Sequence, residues 1–284
     1  MTQWLLEPWL HPFMQRALLA SLMVGILCAV IGCYVVLRSM AFIGDALSHA
    51  ILPGVAIAYL VGANLLVGAL IAAVVVALCI GFLTRQGSLK EDTAIGILFA
   101  AALSLGIALI SSVRTFAVDL SHILFGNVLG VSPGDIWLTG ILTLLVLATI
   151  ILLYKQFMVI SFDPILAATL RLPAELLRNL MLVMLALTIV VSMQTVGVGL
   201  VAAMLVTPAA TAYLLARRLP VMMLIAACIG VASSIIGLYA SYWLNIASGA
   251  AIVLASSALF LLVFLFSPQK GLLWSRIRAH TGQA

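Results

Sequence analysis

Asp45 and His49 stand four residues apart inside an otherwise apolar stretch, FIGDALSHAILPG over residues 42–54. On a helix this spacing puts both side chains on one face, a turn apart. A carboxylate oxygen and an imidazole nitrogen so placed form half of a site for a divalent first-row metal. The same residue types build proton relays, and chemistry alone does not separate the two. A third reading is an Asp–His hydrogen bond that only locks two helices together. Two ligands leave a coordination sphere incomplete. A second copy of the same helix across a two-fold axis would supply two more. Gly44 and Gly54 flank the pair and permit close helix approach, and Ser48 stands beside it. Pro53 cannot donate to the His49 carbonyl. A backbone break at membrane depth is tolerated only against protein or a wet cavity.

The elements that carry this pair are set by composition. The chain has 284 residues, 65% hydrophobic and only 7% charged, with a mean hydropathy of +1.34. Soluble domains average about 45–50% apolar and about 25% charged, so lipid must be the solvent. Apolar runs long enough to cross a bilayer, roughly 20 residues each, fall near 14–37, 41–61, 64–84, 92–112, 134–154, 177–195, 197–216, 220–242 and 246–266. This predicts an all-α polytopic membrane helical bundle with nine crossings, or eight if QTVGVG (194–199) lies within one broken helix. Alternating ten-residue segments typical of a β-barrel are absent.

The formal charge of +5 orients the helices rather than binding nucleic acid. With the C-terminus in the cytoplasm, all of the 13 Lys and Arg except Arg16 and Arg114 lie inside, as the positive-inside rule requires. The N-terminus is then outside. Residues 1–13 lack a cationic leader and carry Trp4, Trp9 and Phe13, so they read as an interfacial segment. Cys28, Cys33, Cys79 and Cys228 read as small buried hydrophobes. Asp119, His122 and Asp135 read as solvated groups of an outer loop, and Glu91 and Asp92 as helix N-terminal charges. Thr207, Pro208 and Thr211 mark a tightly packed, kinked helix. The inner loop holds DPILAATLRLP, a short helix over 163–172 with Asp163 as cap, Pro164 in its first turn and Pro173 at its end. It fits a lipid-surface element and a docking peg for a partner equally well. No GxxxxGK[ST] loop, HExxH or GxSxG occurs, so nucleotide hydrolysis and hydrolase chemistry are not expected of this chain.

Five ordered stretches resemble the permease subunit of bacterial manganese, iron and zinc ABC importers: GDALSHAILPGVAIAYLVG, KEDTAIGILFAAALSLGIAL, DLSHILFGNVLGVSPGDIW, FDPILAATLRLP and VVSMQTVGVGLVAAMLVTPAATAYLL. The likeness runs over roughly 14–266. It implies one transmembrane permease domain over 1–284 with a cytoplasmic tail from 267, in the bacterial inner membrane. It implies a second permease copy, identical or paralogous, a separate cytoplasmic ABC ATPase, an extracytoplasmic metal-binding protein and a lipid environment. It also implies that Asp45 and His49 hold the transported ion, and that Phe162, Asp163, Pro164, Ala167 and Leu170 couple to the ATPase. Where the family often has an acidic residue after FDP, this chain has Ile165. The wording around His49 and in the outer loop is similar to the manganese/iron branch, with zinc as the alternative. No cofactor is implied beyond the transported Mn2+, Fe2+ or Zn2+. A proton-coupled secondary carrier working without an ATPase is the rival reading, although no second GDALSH-like stretch marks an inverted repeat.

Overall fold

The computed structural model describes residues 7–85, 89–111, 128–162 and 164–267. Asp163, Trp4, Arg114, Asp119, His122 and the tail from 268 lie outside the described residues. After a 3-10 turn at Glu7–Leu10, twelve helices follow: α1 Pro12–Leu37, α2 Ile43–Ala50, α3 Leu52–Val61, α4 Leu65–Leu83, α5 Glu91–Ser111, α6 Pro133–Leu152, α7 Tyr154–Phe162, α8 Pro164–Thr169, α9 Ala174–Val196, α10 Val198–Leu215, α11 Leu219–Leu244 and α12 Ser248–Phe266. Among the described residues, nine spans are long and apolar enough to cross a membrane, with α2 and α3 together forming the second. The structure resolves the choice between eight and nine crossings. Gly197, at φ 86° and ψ 161°, separates α9 from α10, and each is long and apolar enough to cross alone.

Local sequence explains the breaks. Ser39 takes a positive φ of 57°, and the Met40 N–H reaches back to the Val35 carbonyl. This is a left-handed cap that stops α1 and turns the chain into α2. Gly62, at φ 72°, ends α3, and the Asn64 side chain accepts from the Leu66 N–H at 2.9 Å to start α4. Asp135 is more than a solvated loop group. It closes a capping box with Ser132 at the head of α6. The inner helix α8 is shorter than 163–172. Arg171 adopts a φ of 53°, and the Leu172 N–H bonds to the Ala167 carbonyl at 3.0 Å, so a left-handed cap ends the helix before Pro173 does.

The core is centred on α1, which packs against α10 and α11 and is mostly buried. Helices α5, α6 and α12 expose most of their apolar surface, including Ile97, Leu105, Ile107, Leu144 and Leu261, as lipid-facing helices should. Cys28 and Cys33 are buried as expected, but Cys228 on α11 is exposed. Close backbone contacts sit at small residues. A Cβ on Gly32 of α1 would fall within 1.8 Å of the Leu205 carbonyl oxygen of α10. Here α10 runs unbroken through Pro208, and the Thr211 hydroxyl donates to the Thr207 carbonyl at 2.7 Å. Gly32→Ala should therefore force the two central helices apart and cost about 2 kcal/mol. A lowered apparent melting temperature in detergent, monitored by size-exclusion chromatography, checks this.

Candidate functional site

Asp45 and His49 lie in the first two turns of α2, roughly 3 and 9 Å along its axis from Ile43. The Gly44 neighbour lets α2 seat against α10, where a Cβ would meet Leu205 Cδ2 at 2.8 Å. His49 Nε2 and Asp45 Oδ1 are 3.7 Å apart, wider than an N–H···O hydrogen bond. Bonds of about 2.0–2.2 Å to each atom would place one cation between them at an angle of about 120°, a normal metal–ligand geometry. The two side chains keep 46% (Asp45) and 30% (His49) of their surface exposed. A carboxylate on a spanning helix costs about 2.5–3.5 kcal/mol when it faces lipid. This open face therefore belongs against water or another polypeptide.

The neighbours expected from the sequence divide. Ser48 is buried, and its hydroxyl donates back to the Gly44 carbonyl at 2.7 Å, so it turns away from the pair. The break at Pro53 is real. It separates α2 from α3 at Ile51, whose N–H turns to the His49 carbonyl in place of the ladder bond Pro53 cannot make. Gly54 meets α4 so closely that a Cβ would lie 2.2 Å from the Gly68 carbonyl oxygen. On the other side, α5 crosses the α2–α3 break. There a Cβ on Gly106 would lie 2.7 Å from Leu52 Cβ.

Two features escaped the sequence reading. The first is Phe99 of α5, whose ring stands edge-on to His49 at a centroid distance of 6.0 Å and to Phe42 at 5.6 Å. Its only sequence signal is the helical spacing of Glu91, Ile95 and Phe99 on one face, which reads equally well as plain packing. The second is the partner of Glu91. This residue is not merely a helix N-terminal charge, because it forms an ion pair with Arg38 and both side chains are largely buried. Burial pulls the Arg38 guanidinium below its usual range, Glu91 pulls it back up and Arg178 pushes it down. Arg178 itself donates to the Gly81 and Thr84 carbonyls at 2.7 and 3.3 Å, closing the C-terminal end of α4. Arg85 and Glu175 pair at 2.8 Å on the surface beside them. Eight of the nine described Lys and Arg gather at this end: Arg38, Arg85, Lys90, Lys155, Arg171, Arg178, Arg217 and Arg218.

At the same end, α7 carries Phe162, α8 carries Pro164 and Ala167, and Leu170 follows α8 directly. Phe162, Leu166 and Leu170 are exposed, whereas Ala167 is fully buried and packs against the chain's own body. Pro164 opens α8.

A model described as the ABC 3 transport family matches residues 10–267. Manganese transport system membrane protein MntC of Halalkalibacterium halodurans is 52% identical over 263 residues, covering 93% of this chain and 90% of that one. The probable iron transport system membrane protein of Haemophilus influenzae is 40% identical, covering 94% and 98%. The solved structure described as PsaBC from Streptococcus pneumoniae in complex with Fab superposes with a TM-score of 0.84 at 37% identity, over 97% of this chain and 99% of that one. A match over this much of the chain means that it belongs to the ABC 3 transport family.

Proposed function

We propose that this chain is the membrane permease of an ATP-driven importer of Mn2+, with Fe2+ as the second cargo. Asp45 and His49 from two copies hold the ion in passage. The observation that carries the reading is the half-open acid–imidazole pair, 3.7 Å apart on a spanning helix, where only a cation, water or a partner copy offsets the cost of the charge. The names of the manganese transport relatives support the first cargo, and the probable iron transport relative supports the second. A site of two ligands per copy binds and releases, whereas a closed cage would trap the ion.

The permease hydrolyses nothing itself. A separate cytoplasmic ATPase docks at the basic end on Phe162, Asp163, Pro164 and Leu170, with Leu166 extending the surface and Ala167 anchoring it from below. Exposed apolar side chains at Phe162, at Leu166 and at Leu170 just past α8, on a segment too short to span, are what a docking surface requires. The basic end faces the cytoplasm of a bacterial inner membrane, with the N-terminus outside, where an extracytoplasmic metal-binding protein delivers the ion. Reconstitution tests the class. Liposomes bearing the permease and delivery protein should accumulate no Mn2+ until the ATPase and ATP are supplied. Gradient-driven uptake by the permease alone would make it a secondary carrier.

A further inference from the structure

We propose that Phe99 is a positioning residue for the cation site: its ring holds the His49 imidazole with Nε2 toward Asp45. The inference rests on the reading of Asp45 and His49 as cation ligands and concerns a residue that ligates nothing.

An imidazole that ligates a metal is usually oriented by a hydrogen bond from its other ring nitrogen to a carboxylate, carbonyl or water. Among the described residues no hydrogen bond reaches the His49 ring, which instead has Asp45 at 3.7 Å and the Phe99 ring beside it. The Phe99 ring meets it at an interplanar angle of 62°, an edge-to-face arrangement aromatic rings favour. The Phe99 ring stands on one side of the imidazole and narrows the orientations open to it. Packing thus does the orienting that hydrogen bonding does elsewhere.

Phe99 is itself fixed from three directions. Phe42, just before α2, packs on it edge-on at 85°. Below, the Arg38–Glu91 pair ties the first turn of α5 to the end of α1. Above, Gly106 brings α5 onto Leu52 and Pro53 at the α2–α3 break. These contacts bracket the two turns that bear Asp45 and His49, so α5 sets the depth and angle at which Phe99 meets the imidazole.

The test is Mn2+ uptake against Mn2+ concentration by the complete reconstituted importer. Phe99→Leu keeps apolar bulk without the ring, Phe99→Ala removes both, and Phe99→Tyr keeps the ring. The Leu and Ala variants should raise the apparent KM by about tenfold, the lower end of what lost ligand orientation costs, with Vmax within about twofold of wild type. The Tyr variant should stay near the wild-type KM. Wild-type KM in the Leu variant, a Tyr variant as impaired as Ala, or a loss confined to Vmax would overturn the proposal. Direct Mn2+ binding by Asp45→Ala separates the levels. If that variant binds like wild type, the reading of the cation site fails, and if it does not while Phe99→Leu does, only the role of Phe99 fails.

Discussion

Metal uptake should fall by about a hundredfold or more in Asp45→Ala and in His49→Ala, since lost outer-shell support alone costs 10–100-fold and these substitutions remove a ligand. Co-purification of the permease with its ATPase should persist in both variants. The reason lies in burial. Asp45 and His49 present open side chains on one face of α2, while Ile43, Ala46, Leu47 and Ala50 hold the helix to the bundle. Removing the polar pair deletes the His49–Phe99 ring contact but leaves the apolar packing that seats α2. The competing idea, an Asp–His lock between helices, makes the opposite forecast. Asp45→Asn with His49→Gln would keep polarity and size, and a mere lock would stay functional. At 3.7 Å between Nε2 and Oδ1, however, the lock is not a closed hydrogen bond. Mn2+ accumulation at the wild-type rate in that double variant would remove the chemical basis of the transport reading.

Much of the architecture was readable because lipid imposes length and apolarity together. Each crossing must be about 20 apolar residues, and turn chemistry marks the ends, as Asn64, Gly197 and Pro133 do. The pair Asp45 and His49 was readable because ionisable groups at membrane depth are rare enough to stand out. What stayed hidden was which faces touch. Helices α1 and α5 are both apolar all round, yet α1 is mostly buried and α5 mostly exposed. In lipid, buried and lipid-facing positions take the same residue types, so no moment separates them. Phe99 therefore looked like any other apolar residue, although it faces His49. Glu91 misled for another reason. A carboxylate in the first turn of a helix has a sufficient local explanation in the helix dipole, which left no reason to seek Arg38, 53 positions earlier in the chain. Asp135 had no comparable ambiguity once Ser132 was considered with it, because the S-x-x-D spacing allows a reciprocal cap. The short reach of α8 was obscured because the left-handed turn at Arg171 uses a residue with no special tendency toward it.

Glu91→Gln should destabilise the permease by about 3 kcal/mol, the lower end of what breaking a buried ion pair costs. Arg38 keeps only 13% of its side-chain surface exposed, and Glu91 keeps 22%. Once Glu91 is neutral, the Arg38 guanidinium remains in the same confined place with Arg178 nearby, and these like charges already work against each other. Arg178 cannot readily move away, because it holds the Gly81 and Thr84 carbonyls at the end of α4. The repulsion therefore falls on the junction of α1, α4, α5 and α9. Replacing both members, Arg38→Met with Glu91→Met, should recover most of the loss, since an apolar pair carries no stranded charge. Apparent melting temperatures of wild type, Arg38→Met, Glu91→Met and the double variant in detergent form the cycle. A coupling energy near zero would mean that the two charges are independently solvated and that the tie between α1 and α5 has no energetic content. A coupling of about 2 kcal/mol or more would instead mark this pair as what keeps α5, and with it Phe99, in place beside His49.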